Sequence, residues 1–218
     1  MDKSIESLKG ILATVDINSC PYKLNFHCHT NCSDGSLSPI ELYHEATNIG
    51  LTELAITDHH TVRAYKEISQ WIQNNSISKQ TRLRLWSGIE ITSLIDNCLV
   101  HILGLGFNPD SEFMSPYINS SSVKGNELIG CNVVSAIHKA GGLAILAHPA
   151  RYRLDFKRII KAASEIGIDG GEAWYDYEFN NPWKPSSFVC NAVSSELAKY
   201  NLLMSCGTDT HGTSLLKR

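Results

Sequence analysis

Six short stretches of this chain carry side chains that bind divalent cations. They are His27-Cys28-His29 with Asp34 close behind, Thr57-Asp58-His59, Gly88-Ile89-Glu90, Val100-His101, Ala147-His148-Pro149 and Gly207-Thr208-Asp209-Thr210-His211. Together they hold six of the nine histidines. The donors are nitrogen and oxygen, a set that suits Mn²⁺, Fe²⁺ or Zn²⁺ and excludes a thiolate structural site. Two such ions close together lower the pKa of a bridging water toward neutrality. They also neutralise charge on a displaced oxygen, which is the chemistry of a hydrolase.

Each stretch has a plainer reading when taken alone. His27 and His29 are two apart, so on a strand both face one side and Cys28 the other. Asp34 sits in the polar turn Ser33-Asp34-Gly35-Ser36, where an Asx-turn or helix cap would use it equally well. Asp58, beside His59, could orient an imidazole from outside the ligand shell. Glu90 closes an apolar run, well placed to bridge two ions, although acids at strand ends are often loop residues. His148 follows Leu143-Ala144-Ile145-Leu146-Ala147, where a lone histidine is more often a satisfied core residue. Asp209 and His211 repeat the period-2 spacing of His27 and His29. The conjunction of six stretches, nearly all closing a β-prone run, is what core packing does not explain.

Those runs give the elements that must position the site. Strands are expected over 23–29, 53–58, 83–90, 99–106, 143–148, 167–174 and 202–206, with helices over 38–49, 63–74, 126–140, 155–166 and 187–199. Ile5, Leu8, Ile11, Leu12 and Val15 recur at helical spacing, so residues 1–20 are expected to form an amphipathic helix that packs on the body. Gly50, Gly141 and Gly142 stand where helices end. Alternating strand and helix predicts a parallel barrel or an open doubly wound sheet. No G-x-G-x-x-G follows the first strand, and candidate ligands come from the first strand through the last, so the barrel is favoured. Residues 108–124, rich in Ser, Asn and Pro, read as a surface loop.

The chain has 218 residues, enough for one domain with a sizeable core. Its formal net charge is −3, with 19 basic and 22 acidic side chains, and no long basic stretch marks a stable duplex-binding protein. A short strand end or a nucleotide stays open as a partner. Seven scattered cysteines include no C-x-x-C pair and read as buried free thiols of a reducing compartment. The first residues lack a signal-peptide pattern, and no apolar run approaches the ~20 residues of a spanning helix. A cytoplasmic protein is expected.

The order H-x-H, S-D-G, T-D-H, G-x-E, H, A-H-P, G-x-D-x-H, spread over Asn25 to His211, resembles the PHP family, named for polymerase and histidinol phosphatase domains. The resemblance implies a single-domain distorted (β/α)7 barrel over residues 21–218, a trinuclear metal site and phosphoester hydrolysis by a metal-bridged hydroxide. Carried over residue by residue, the ligands are His27, His29, Asp34, His59, Glu90, His101, His148, Asp209 and His211. Asp58 matches the family's acid beside the second-motif histidine. The S-D-G turn and Pro149-Ala150-Arg151-Tyr152 are similar to the branch of nucleotide phosphatases and 5′-to-3′ exonucleases, in which Arg151 looks like a phosphate clamp. Asp58, Glu90 and Arg151 are therefore the expected catalytic residues. Two departures stand: the stretch between His101 and His148 is shorter than in larger branch members, and the last motif reads Gly-Thr-Asp for the more usual Gly-Ser-Asp.

The expected substrate is a nucleotide such as a 3′,5′-bisphosphate, or the 5′ end of a short oligonucleotide. Histidinol-phosphatase-like activity, amide or lactone opening, and a non-catalytic PHP module are the alternatives. Arg153 is the second guanidinium near the pocket, while Lys157, Arg158 and Lys161 read as a solvated helix face. Trp174, Tyr175, Tyr177, Phe179 and Trp183 form either a base-stacking wall or a loop folded on itself. His44 and His138 read as surface or packing residues, and His60 as pointing elsewhere than His59.

Overall fold

A computed structural model describes residues 3–75 and 82–217, and its strands fall into two sheets. The first sheet is parallel and orders β1 (Leu24–Asn25), β2 (Glu53–Ala55) and β3 (Arg84–Trp86). The second orders β4 (Gly88–Ile95), β5 (Cys98–Leu105), β6 (Leu143–Leu146), β7 (Gly170–Trp174) and β8 (Leu203–Cys206). The result is a mixed α/β single domain. Among the described residues no continuous ladder closes it into a barrel, but isolated parallel bridges join both seams, His59 to Glu90 and Cys28 to Thr210.

The long strand expected over 83–90 is two strands that belong to different sheets. The break falls at Ser87, whose hydroxyl donates to the Phe107 carbonyl and whose carbonyl accepts from the Gly106 N–H. Gly88 then passes so close to the Ile56 carbonyl that a Cβ would sit 2.4 Å from its oxygen. Direction also departs from the all-parallel expectation, because β5 runs antiparallel to both β4 and β6. Asp96 and Asn97 cause this. Their φ angles of 49° and 54° make the two-residue hairpin turn that matches strand twist. A parallel crossover would need a dozen or more residues there.

Helices cover the outside: α1 (Lys3–Leu12), α2 (Pro39–Ile49), α3 (Arg63–Asn74), α4 (Gly130–Lys139), α5 (Phe156–Glu165) and α6 (Ser187–Lys199). Ser38 caps α2 in a reciprocal box with Glu41, Pro39 opens its first turn, and Gly50 ends it at φ 90°. The helix expected over 126–140 splits. Ile129 is extended and bridges Leu94 of β4, so α4 starts only at Gly130. α2 and α3 pack on the first sheet through Leu42, Ala46, Ala64 and Ile68. α4, α5 and α6 cover the second sheet through Val133, Ile137, Ile160 and Leu197.

Between the sheets, Leu24, Ala55, Trp86, Leu103, Leu105, Ile145 and Cys206 share one apolar cluster, joined by Ile5, Leu8 and Leu12 of α1. Strand period places the site on that inner face. His101 lies two residues before Leu103 and four before Leu105, and so on the same side of β5. All seven cysteines are free thiols, five of them buried, with Cys131 exposed and Cys32 between. Among the described residues, no helix is long and apolar enough to cross a membrane.

Candidate metal centre

Two local devices aim the first and last motifs inward. Cys28 packs outward with Leu42 and Tyr43 under α2, leaving His27 and His29 on the opposite face. At the end of β8, Gly207 lies against His27, where a Cβ would meet His27 Cβ at 2.2 Å. Only a residue without a side chain lets the Asp209 turn approach this closely. The backbone is strained beside the site, with φ of 51° at His60, 26° at His148 and 50° at Asp209. Such angles cost on the order of 1–3 kcal/mol each and collect where function needs them.

Glu90, buried within β4, stands at the middle. Its Oε2 lies 3.1 Å from His27 Nε2, 3.0 Å from His29 Nε2 and 3.6 Å from His59 Nδ1. Its Oε1 lies 2.7 Å from His101 Nδ1 and 3.3 Å from His148 Nε2. Asp209 Oδ1 is 3.3 Å from both His27 Nε2 and His29 Nε2. Asp34 reaches in from its turn, 3.5 Å from His29, 3.3 Å from His211 and 3.7 Å from His59. All nine residues carried over as ligands thus meet in one place. Two of them come from mid-strand positions rather than strand ends: Glu90 is the third residue of β4, and His101 is the fourth of β5. Because β5 runs antiparallel, its N-terminal half is the end that faces the site.

The donors fit divalent ions. Both ring nitrogens of His29, His101 Nδ1 and His148 Nδ1 are buried without a hydrogen bond. His101 Nδ1 and His29 Nε2 stand 2.7 and 3.0 Å from Glu90 oxygens, yet outside hydrogen-bond geometry. Lone-pair donors face one another in this way around a shared cation, where two ligands bound at ~2.1 Å stand about 3–3.4 Å apart. Three overlapping groups gather donor atoms within 4.8 Å: His29, Asp34, His59 and His211; His27, His29, Glu90 and Asp209; and His59, Glu90 and His101. His148 stands outside these groups, its ring 5.5 Å from that of His27.

Charge follows the same map. Burial alone would raise the Glu90 and Asp209 carboxyls, but His27 and its neighbours hold both well below the usual carboxylate range. Burial likewise opposes charge on His29, and the adjacent Asp209 and Glu90 carboxylates override it, pushing its pKa up to about 9. His59, dominated by burial, falls to about 4. The same carboxylates that favour protons here would favour a metal cation.

Asp58 is placed differently from an imidazole-orienting acid. Its oxygens accept from the Thr30 N–H at 2.7 Å, the Thr30 hydroxyl at 2.6 Å and the Ser33 hydroxyl at 2.8 Å. It anchors the turn that carries Asp34. The imidazole-facing carboxylate is Glu172 of β7, which sequence reading passed over. It lies 3.1 and 3.2 Å from His27 Nδ1 and accepts the His148 N–H at 2.8 Å. An acid inside the otherwise apolar run Gly170-Gly171-Glu172-Ala173-Trp174 was the available signal.

Arg151 stands at the rim. Its Nη1 donates to Tyr175 Oη at 2.9 Å and to Asp209 Oδ2 at 3.1 Å. With His59, Glu90, His101, His148, Asp209 and His211 it lines a cavity of about 320 Å³. Arg153 turns away and donates to the Asn97 carbonyl in the β4–β5 turn. Arg158 pairs with Asp96 and Lys161 with Glu165, an ion-paired outer face of α5. Tyr175 and Trp183 are buried, and the Tyr175 hydroxyl donates to Asp209 at 2.6 Å. The aromatic segment is therefore largely folded on itself, with Phe179 exposed. His60 Nε2 accepts from the Thr92 N–H, His44 packs edge-on to Trp71, and His138 pairs with Asp169 at 2.7 Å.

An α/β domain whose inner face gathers imidazoles and carboxylates around one glutamate has the donor set of a metal-binding domain. The chain belongs to the PHP domain family, whose model matches residues 25–206. It is 30% identical over 154 residues to a 5′-3′ exoribonuclease of Haemophilus influenzae, covering 68% of this chain and 54% of that protein. It is 25% identical over 121 residues to a 3′,5′-nucleoside bisphosphate phosphatase of Chromobacterium violaceum, covering 56% of this chain and 40% of that protein. The chain thus spans about half the length of these curated relatives. The fold matches an amidohydrolase structure from Chromobacterium violaceum with bound sulfate, at a TM-score of 0.71 and 18% identity, covering 87% of this chain and 88% of that one.

Proposed function

We propose that this chain is a metal-dependent phosphoesterase. Its substrate is a nucleotide such as a 3′,5′-bisphosphate, or the phosphorylated 5′ end of a short oligonucleotide. The carrying observation is the way Glu90 is shared, one oxygen facing His27, His29 and His59 and the other His101 and His148. A carboxylate so divided suits a bridge between ions, and the three overlapping donor groups suit three Mn²⁺, Fe²⁺ or Zn²⁺. Ions held there would activate a water as nucleophile and neutralise phosphoryl charge.

The chain's own residues supply the rest. Tyr175 and Arg151 hold Asp209 Oδ2, which leaves Oδ1 facing His27 and His29. Arg151 uses Nη1 for both bonds, so Nε and Nη2 are left to meet a phosphate across the cavity mouth. A cavity of about 320 Å³ is at the small end of ligand sites, a size suited to a phosphate group with its ester oxygen rather than a buried polymer. The names of the exoribonuclease and bisphosphate phosphatase relatives support the choice of substrate.

The test loads purified protein with Mn²⁺ or Zn²⁺. It is offered nucleoside 3′,5′-bisphosphates, 5′-phosphorylated and 5′-hydroxyl oligoribonucleotides and histidinol phosphate. Release of inorganic phosphate or mononucleotide from the first two is expected. A chain that binds the ions yet releases nothing from any phosphoester is a non-catalytic module, and the proposal fails.

A further inference from the structure

Glu172 is a fully buried carboxylate that neither the motif pattern nor the donor groups include. It occupies the far side of the His27 ring from Glu90 and Asp209. Nδ1 of His27 faces Glu172 at 3.1 and 3.2 Å, while Nε2 faces Glu90 at 3.1 Å and Asp209 at 3.3 Å. A neutral imidazole has one N–H and one bare nitrogen, so the partner of one nitrogen decides what the other can do. A carboxylate accepts only, so Glu172 holds a proton on Nδ1, and a cation shared between Nε2 and the Glu90 and Asp209 carboxylates would take the lone pair that Nε2 then presents.

Glu172 does a second thing with the same group. Its Oε2 accepts the backbone N–H of His148 at 2.8 Å, at the residue whose φ of 26° is the most strained of those beside the site. One side chain of β7 thereby fixes the ring of His27, on the segment after β1, and the backbone of His148, after β6.

We propose that Glu172 is the positioning residue of this metal centre: it keeps the His27 proton on Nδ1, so that Nε2 faces Glu90 and Asp209 as a bare donor, and locks His148 beside it. The inference rests on the reading that the constellation holds divalent ions. A carboxylate behind a metal-binding histidine fixes its tautomer and raises its basicity, and its loss typically weakens metal binding roughly 10- to 100-fold. Glu172→Gln keeps the shape and one acceptor for the His148 N–H. It brings an NH₂ group toward Nδ1, which favours the proton on Nε2, the wrong nitrogen for a ligand. Glu172→Asp keeps two acceptors but draws them back by one methylene.

The experiment titrates chelator-stripped protein with Zn²⁺ and counts bound ions by elemental analysis, with thermal melts in EDTA as the check of fold. Glu172→Gln is expected to melt cooperatively, yet to lose an equivalent of zinc or bind it roughly 10- to 100-fold more weakly. Glu172→Asp should recover part of that loss. A residue that merely fills the core would give the opposite pattern: full zinc binding in the well-folded Gln variant, which overturns the proposal. Long-range ¹H–¹⁵N spectra of zinc-loaded wild-type protein give a second reading that needs no variant. His27 is expected to carry its proton on Nδ1, and a proton on Nε2 overturns the proposal even if both variants fail to fold. Wild-type protein that takes up no zinc overturns the metal reading and this inference together, whereas normal uptake with an indifferent Glu172→Gln overturns this inference alone.

Discussion

Glu90 offers each carboxylate oxygen to a different set of imidazoles, and both oxygens are buried, so its charge rather than its bulk holds the centre together. Glu90→Gln keeps the volume and removes that charge. Elemental analysis should find metal content reduced, and turnover should fall by more than the roughly 10- to 100-fold typical of an outer partner. The far-UV spectrum should be unchanged. Wild-type occupancy and rate in that variant would remove Glu90 from the centre. The Arg151 side chain is 40% exposed and donates inward to Tyr175 and Asp209. If it grips a phosphate equally in ground and transition states, Arg151→Ala should raise KM roughly tenfold, the low end of a charged hydrogen bond at ~1.5 kcal/mol, with kcat little changed. Arg151→Lys should recover only part, since it keeps the charge and loses the fork. An unchanged kcat/KM in both variants would put Arg151 outside the reaction.

The elements set tolerances that single residues then have to meet. The turn after β8 approaches the segment after β1 so closely that a Cβ at Gly207 would lie 2.5 Å from the His27 nitrogen. Gly207→Ala should therefore destabilise the fold by about 1–3 kcal/mol, as overpacking does, and should lower metal uptake with it. Wild-type stability and uptake in a denaturant titration would show that the turn has slack. Across the molecule, His138 on α4 bonds to Asp169, which also accepts the Ala144 N–H at the start of β6. That hydrogen bond raises the His138 pKa, and burial, which would lower it, is outweighed. A raised folded-state pKa means stability present below the ordinary histidine pKa and lost as pH climbs through the higher folded value. The wild-type minus His138→Gln stability difference should thus be larger at pH 5.5 than at pH 8.5, and no pH dependence in that difference would discount the pair.

At the scale of the whole molecule, the buried carboxylates and imidazoles meet from both sheets, so ions binding there bind only the folded chain. At a hundredfold excess over Kd such binding stabilises by ~2.7 kcal/mol, or roughly 5–10 °C in melting temperature for a domain of this size. Melts with Mn²⁺ and with EDTA should differ by about that amount, and identical curves would argue that nothing is bound at the centre. Much of this architecture was legible beforehand. The spacing of His27 with His29 puts that pair on one face by strand period, whereas Asp209 and His211, equally spaced, come in from a turn after β8 with a φ of 50° at Asp209. Ser38, Pro39 and Gly50 marked the ends of α2 because capping depends on neighbours along the chain. The direction of β5 was legible in principle, in Asp96-Asn97, but lost beneath the expectation of parallel strands. Other features depended on partners far away in sequence. Glu172 reaches His27 across 145 residues and the His148 N–H across 24; Arg153 spends its guanidinium on Asn97, and Asp58 its oxygens on Thr30 and Ser33. Residue type and local spacing determined which side chains could hold a metal. Only the register of strands against one another decided which nitrogen of each ring faces which oxygen, because that is set by backbone contacts between segments the sequence does not place side by side.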